Sequence, residues 1–413
     1  MIKILWLNAY SYPEPITGRA ILGSVRRGVC KRGLMGLLML EDGSIYRGCG
    51  FGSKGTRVGE VVFTTSMVGY PESITDPSYK GQILVLTHPL IGNYGFTCMK
   101  TSLLRSGDVF LQMESEKPQI EGLVVFEETE PSHWSSEGSL HSWLKENQVP
   151  GLSRVDTRSI VRKLREHGTM RGIISVWSPE DGEPDVEELW KAMVKSQGYD
   201  DLPLAYQVSP REPMEHGADG PVISIIDCGI KHGILREILS RGFRVIRYPY
   251  YTRPSVIIDG AVGVVISNGP GNPSILTEVI ENVRELIEYN IPILGICLGH
   301  QLLSLALGGD VYKLRYGHRG ANKPVRDLET SLGYISTQNH GYVVSIESLR
   351  GTGLRPWFIN IDDGTLEGVK HETKPIMGVQ FHPEAGPGPR DLSWVFDVFK
   401  KTIYRTLPVY ERI

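Results

Sequence analysis

The stretch Pro292-Ile293-Leu294-Gly295-Ile296-Cys297-Leu298-Gly299-His300-Gln301 reads as a short apolar strand, a sharp turn and the start of a helix. Its centre has the form G-x-C-x-G. That is the thiol counterpart of the G-x-S-x-G elbow, which presents a nucleophile at the end of a strand. Gly295 and Gly299 let strand and helix approach closely around the turn. The helix begins at the thiol, and the positive end of its dipole favours an anion there. A lone thiol is more often a buried apolar side chain, but the flanking glycines argue against that here.

Outward from this stretch, short apolar strands alternate with helices. Residues 222–227, 243–247, 263–267 and 292–296 read as strands; 233–241, 275–289 and 298–307 read as helices. The alternation predicts an α/β domain, a doubly wound and mostly parallel sheet covered on both faces. Reactive groups in such sheets gather at the carboxyl ends of the strands. Gly378-Val379-Gln380-Phe381-His382-Pro383-Glu384 reads as another strand, which brings His382 to the rim of Cys297. Glu384, two positions on, is placed to accept from the imidazole and fix its tautomer. A single H-x-E is usually a surface pair; it gains meaning only beside the cysteine elbow. Asn268-Gly269-Pro270-Gly271-Asn272-Pro273 is a glycine turn able to aim backbone N–H groups at an oxyanion, together with the N–H of Leu298. It has no G-K-[ST] ending, so it is not a phosphate loop.

The first half is less regular. Residues 34–40 form an apolar strand pattern, Glu41-Asp42-Gly43 a hairpin turn, and 44–48 the return strand. Residues 61–64, 82–86 and 122–126 are further strand candidates, and 139–147, 157–167 and 186–196 helix candidates. We expect an N-terminal mixed α and β domain over 34–200, a linker over 201–220, and the parallel-sheet domain over 221–413. Residues 1–33 stand apart. Lys3, Arg19, Arg26, Arg27, Lys31 and Arg32 are offset only by Glu14. This stretch is expected to be a poorly ordered extension, a transit peptide or the product of an upstream start codon.

Composition bounds the function. The chain has 413 residues and a formal net charge of −3, with 44 Lys and Arg against 47 Asp and Glu. That balance gives no reason to expect nucleic acid or a membrane as partner. No apolar run approaches the roughly 20 residues of a membrane span. Cys30, Cys49, Cys98, Cys228 and Cys297 are an odd, sparse set without a C-x-x-C pair. They argue against a disulfide framework and a thiolate metal site, and for a reducing cytoplasm.

Cys297, His382 and Glu384, in that order, resemble the triad of the class I glutamine amidotransferases. The first half narrows the resemblance. Gly59-Glu60-Val61-Val62-Phe63-Thr64-Thr65-Ser66-Met67-Val68-Gly69-Tyr70, Thr75-Asp76-Pro77-Ser78-Tyr79 and Ile91-Gly92-Asn93-Tyr94-Gly95 are similar to the N-terminal domain of the carbamoyl-phosphate synthase small subunits. Val155-Asp156-Thr157-Arg158 and Gln338-Asn339-His340-Gly341-Tyr342 agree. The resemblance implies glutamine-binding positions at Ser66, Gly269, Gly271, Leu298, Gln301, Asn339, Gly341 and Tyr342. Gly271 and Leu298 would donate to the oxyanion, and Ser66 would reach in from the other domain. It also implies a separate large synthetase subunit that carries ATP and Mg²⁺, receives ammonia and makes carbamoyl phosphate for arginine and pyrimidine synthesis. No cofactor or metal is expected on this chain. Three positions depart from the family pattern: Gly233 for Asn, Lys323 for His, and Tyr342 where Phe is also seen. The alternatives are the glutaminase of another amidotransferase, such as the anthranilate, GMP or CTP systems, and a silent partner protein.

Overall fold

The computed structural model describes residues 30–97, 109, 111–217 and 219–407; residues 1–29 and Cys98 lie outside the described residues. The first domain is built on β1 (Leu34–Leu40), β2 (Ile45–Gly52), β3 (Gly55–Thr64), β4 (Gln82–Leu86), β5 (Gly122–Val124), β6 (Pro150–Ser153) and β7 (Met170–Trp177). They close into a barrel in the order β1-β2-β6-β5-β4-β3-β7. The expected hairpin joins β1 to β2, with Asp42 accepting from the Ser44 N–H at 2.9 Å. Leu38, Leu40, Val61, Ile83, Val85, Leu152 and Ile174 share one buried cluster with Ile160 and Leu164 of helix α1 (Thr157–His167). Closure leaves the barrel no free strand edge to satisfy.

The second domain is a ten-stranded sheet. Its strands are β8 (Met214–His216), β9 (Val222–Asp227), β10 (Arg244–Pro249), β11 (Ala261–Ile266), β12 (Ile293–Ile296), β13 (Val311–Asp327), β14 (Gly333–Val344), β15 (Leu354–Asn360), β16 (Leu366–His371) and β17 (Ile376–Val379). The order is β8-β10-β9-β11-β12-β17-β16-β15-β13-β14. From β10 to β17 every pairing is parallel. Those strands are Val- and Ile-rich and are covered by apolar clusters drawn from the helices around them. Beyond β17 the sheet turns antiparallel, through four strands that sequence reading left unplaced. The longest, β13 and β14, are polar and broken by Gly and Pro, so neither strand periodicity nor apolar content marks them.

Three expectations need correction. Cys30 and Cys49 form a disulfide, because the segment entering β1 runs beside β2, the strand that carries Cys49. Lys31 and Arg32, read as part of a loose extension, pair with Glu130 at 2.7 and 2.8 Å, and Arg32 also reaches Glu128 at 2.7 Å. The stretch read as a linker contains a short helix, Leu204–Val208, and β8, which joins the sheet edge. Among the described residues no helix is long and apolar enough to cross a membrane.

Candidate active site

Cys297 sits between β12 and helix α2 (Leu298–Ala306), with φ 53° and ψ −104°. A non-glycine residue in that region is strained and persists only where its surroundings hold it. The glycines do so by letting backbones touch. A Cβ on Gly299 would lie 2.0 Å from the carbonyl oxygen of Ile266, and one on Gly295 would lie 2.6 Å from that of Gly299. The thiol is buried and lies 3.8 Å from the carbonyl oxygen of Asn339 and 3.6 Å from Gln380 Nε2.

β17 ends at Val379, and the chain then brings His382 to the same rim. The His382 N–H donates to the carbonyl of Thr337 on β14, which ties the loop down at 2.8 Å. His382 Nδ1 donates to Glu384 Oε1 at 2.6 Å. The Nε2 side keeps no well-formed hydrogen bond, although Cys297 is close enough to act on the ring. Burial alone would lower the basicity of His382. The Glu384 carboxylate outweighs it and holds the ring up at about 10, with Cys297 adding and Lys231 opposing. Burial would likewise raise Glu384, but Lys231 and His382 hold it down at about 2. Lys231 is fully buried, 3.2 Å from Glu384 and 2.5 Å from the carbonyl oxygen of Ala385.

A cavity opens on Cys297. It is lined by Gly269, Gly271, Leu298, Gln301, Asn339, Gly341 and Tyr342, seven of the eight expected glutamine positions. Ser66 is the exception. Its hydroxyl accepts from the Ala321 N–H at 3.1 Å and meets Thr64 at 3.1 Å, in a neighbouring cavity shared with His382. The serine that lines the Cys297 cavity from the first domain is Ser78, in a single 3₁₀ turn, Pro77–Tyr79. Its hydroxyl accepts from Asn268 at 2.9 Å, while Asp76 accepts from the Asn339 amide at 2.9 Å. The motif around Ser78 was visible in the sequence, but an Asp-Pro-Ser turn signals only a turn.

Gln301, one helical turn after Cys297, donates to the carbonyl of Tyr342 at 2.8 Å and to Gln380 Oε1 at 3.0 Å. The Gly271 N–H, expected to serve the oxyanion, donates instead to the hydroxyl of Tyr199 at 3.0 Å. The Leu298 N–H opens α2 and has no acceptor in its own helix. Tyr199, Lys313, Arg319 and Glu60 also line the cavity, and none was singled out for a role from sequence. Lys313 bridges Glu60 and Asp200 at 2.7 Å each, and the Tyr342 hydroxyl donates to Asp200 at 2.6 Å. About 30 Å³ of this cavity is open.

Gly233, one of the departures from the family pattern, has its explanation here. A Cβ on it would meet Glu384 Cγ at 2.7 Å. The space is filled by the buried carboxylate of Glu114, which accepts from the Gly233 N–H at 2.7 Å and pairs with Arg236 at 2.9 Å.

Comparison with known proteins agrees with both halves. Residues 38–174 match the carbamoyl-phosphate synthase small chain, CPSase domain, and residues 224–402 the class-I glutamine amidotransferase family. The chain is 54% identical to the carbamoyl phosphate synthase small chain of Sulfurisphaera tokodaii, over 91% of this chain and 98% of that one. It is 50% identical to that of Metallosphaera sedula, again over 91% and 98%. A solved glutamine amidotransferase of Thermotoga maritima is a looser likeness, 18% identical with a TM-score of 0.33 over 45% of this chain and 85% of that one. The chain therefore belongs to the carbamoyl-phosphate synthase small-chain family, with a class I glutamine amidotransferase domain as its second half.

Proposed function

We propose that this small subunit hydrolyses glutamine through Cys297, His382 and Glu384 and hands the ammonia to a separate large synthetase chain. The observation that carries the reading is the strained Cys297 at the strand–helix elbow, on the rim where the buried His382–Glu384 pair ends. The Cys297 sulfur attacks the side-chain amide carbon of glutamine, forming a C–S bond. The carbonyl oxygen takes the negative charge and is met by backbone N–H groups of the elbow and the 269–271 turn. His382 gives its proton to the nitrogen, the C–N bond breaks and ammonia leaves. An amide nitrogen is a poor leaving group unless protonated. Water then attacks the thioester, His382 takes a proton from it, the C–S bond breaks, and glutamate leaves with the thiolate and imidazolium restored. Glu384 keeps the imidazole in its tautomer and balances the imidazolium.

Displacing the Tyr199 hydroxyl would free the Gly271 N–H for the oxyanion. The charged groups of the lining, Lys313, Arg319 and Glu60, complement the carboxylate and ammonium of an amino acid. Ser78, in place of Ser66, supplies the first domain's hydroxyl. ATP, Mg²⁺ and bicarbonate chemistry belongs to the partner chain, in the cytoplasm, and its carbamoyl phosphate feeds arginine and pyrimidine synthesis. Ammonia has to pass between the chains out of bulk water, where protonation would remove its nucleophilicity.

The test is Cys297→Ser in the reconstituted pair. Glutamine-dependent synthesis should fall by roughly 10³-fold or more, while ammonia-dependent synthesis stays within about twofold of the wild type. Loss of both activities together would refute the division of labour.

A further inference from the structure

A second buried cluster of ionisable groups lies outside the triad. His318 on β13, His340 on β14 and Glu367 on β16 each turn one ligand atom inward, and the three atoms lie within 4.8 Å of one another. His318 Nδ1 is 3.4 Å and His340 Nε2 is 3.7 Å from Glu367 Oε1. Those separations are long for hydrogen bonds. They are close to the roughly 3.3 Å between neighbouring ligand atoms of a tetrahedral ion bound at about 2.0–2.1 Å.

The outward nitrogens are committed elsewhere. His318 Nε2 stands 2.8 Å from Asp363 Oδ2, and His340 Nδ1 is 3.0 Å from the carbonyl oxygen of Tyr342. A carbonyl only accepts, so the proton of a neutral His340 sits on Nδ1 and its Nε2 presents a bare lone pair to a carboxylate. That nitrogen and Glu367 Oε2 are both buried without a partner. A carboxylate or carbonyl behind each imidazole is the arrangement that orients metal-bound histidines. The Asn360 amide, 3.3 Å from Glu367 Oε1 and 3.4 Å from His318 Nδ1, offers donors to those two acceptors but forms no hydrogen bond with His340 Nε2. His300, fully buried with both ring nitrogens unpartnered, is within electrostatic reach of Glu367 and His340.

We propose that His318, His340 and Glu367 form a structural site for a divalent transition-metal ion of zinc type. Two imidazoles and a carboxylate are a ligand set that suits Zn²⁺. The ion would join β13, β14 and β16, the antiparallel half of the sheet, just behind the strand that brings Asn339, Gly341 and Tyr342 to the glutamine cavity. It takes no part in hydrolysis.

The full chain, stripped of metal and then equilibrated with Zn²⁺, should retain about one zinc per chain by mass spectrometry after gel filtration. Cys297→Ser should retain it equally, which separates this site from the catalytic thiol. Glu367→Gln should lose it. Because that buried change risks the fold, Asp363→Asn, on a half-exposed carboxylate, is the companion variant. It should remain folded by circular dichroism and bind zinc roughly 10–100-fold more weakly. Cobalt(II) should give intense visible absorption in the wild type and not in Glu367→Gln. A folded wild type that keeps no zinc would overturn the site and leave a cluster neutralised by protons alone. So would zinc retained equally by Asp363→Asn and Glu367→Gln, or lost with Cys297.

Discussion

The two walls of the Cys297 cavity are built differently. The wall around Cys297 is positioned by backbone: an elbow at φ 53°, glycines in contact with carbonyls, and a parallel sheet beneath. The wall supplied by the barrel domain acts through side chains, with Asp76 on Asn339, Ser78 on Asn268 and Glu60 on Lys313. Backbone geometry has no slack, so it suits the reacting atoms. Side-chain contacts across a seam can loosen and re-form, so they suit binding and release. Changes on the first wall should therefore strike kcat, and changes on the second KM.

The largest break in that division should come from Glu384→Gln. It should lower kcat for glutamine by roughly 10²–10⁴-fold with little change in KM. It should also move the pH profile. His382 is held up at about 10 chiefly because Glu384 overcomes the cost of burial. The stabilisation it brings is complete below the ordinary imidazole value, and it is lost as pH rises through about 10. Without the carboxylate, both the alkaline limb of activity and that contribution should shift toward neutral pH. An unmoved limb would show that some other group sets it.

Ser78→Ala and Ser66→Ala sharpen the comparison within one domain. Ser78→Ala should raise KM about tenfold, one hydrogen bond's worth, at nearly constant kcat. Ser66→Ala should leave KM within about twofold and cost on the order of 1 kcal/mol of stability, since its hydroxyl caps the Ala321 N–H. Steady-state kinetics and thermal melts of the two variants decide it, and the reverse ranking would restore Ser66 to the glutamine site. The smallest effect belongs to Tyr199→Phe. Removing the hydroxyl releases the Gly271 N–H, and KM should fall roughly two- to fivefold. A rise would mean that the phenol binds substrate instead of yielding to it.

The same asymmetry governs what the sequence could reveal. Apolar strands such as Val222–Asp227 and Ile293–Ile296 carry their burial in their composition, so the parallel half and its elbow were legible. β13 and β14 were not. Their inward residues include His318, Arg319, Asn339 and His340, whose burial depends on partners distant in the chain. Barrel closure and the Cys30–Cys49 bridge are likewise products of pairing between segments, and cysteine count says nothing about which strands become neighbours. Ser66 and Ser78 stand in equally plausible motifs. Only the turn at Pro77–Tyr79 brings one of them to the cavity.

Glu114, seated against Gly233 and paired with Arg236, makes the two halves of the chain interdependent. It comes from the first half of the chain and lies beside Glu384, so loss of its carboxylate would remove the acceptor of the Gly233 N–H next to the triad glutamate.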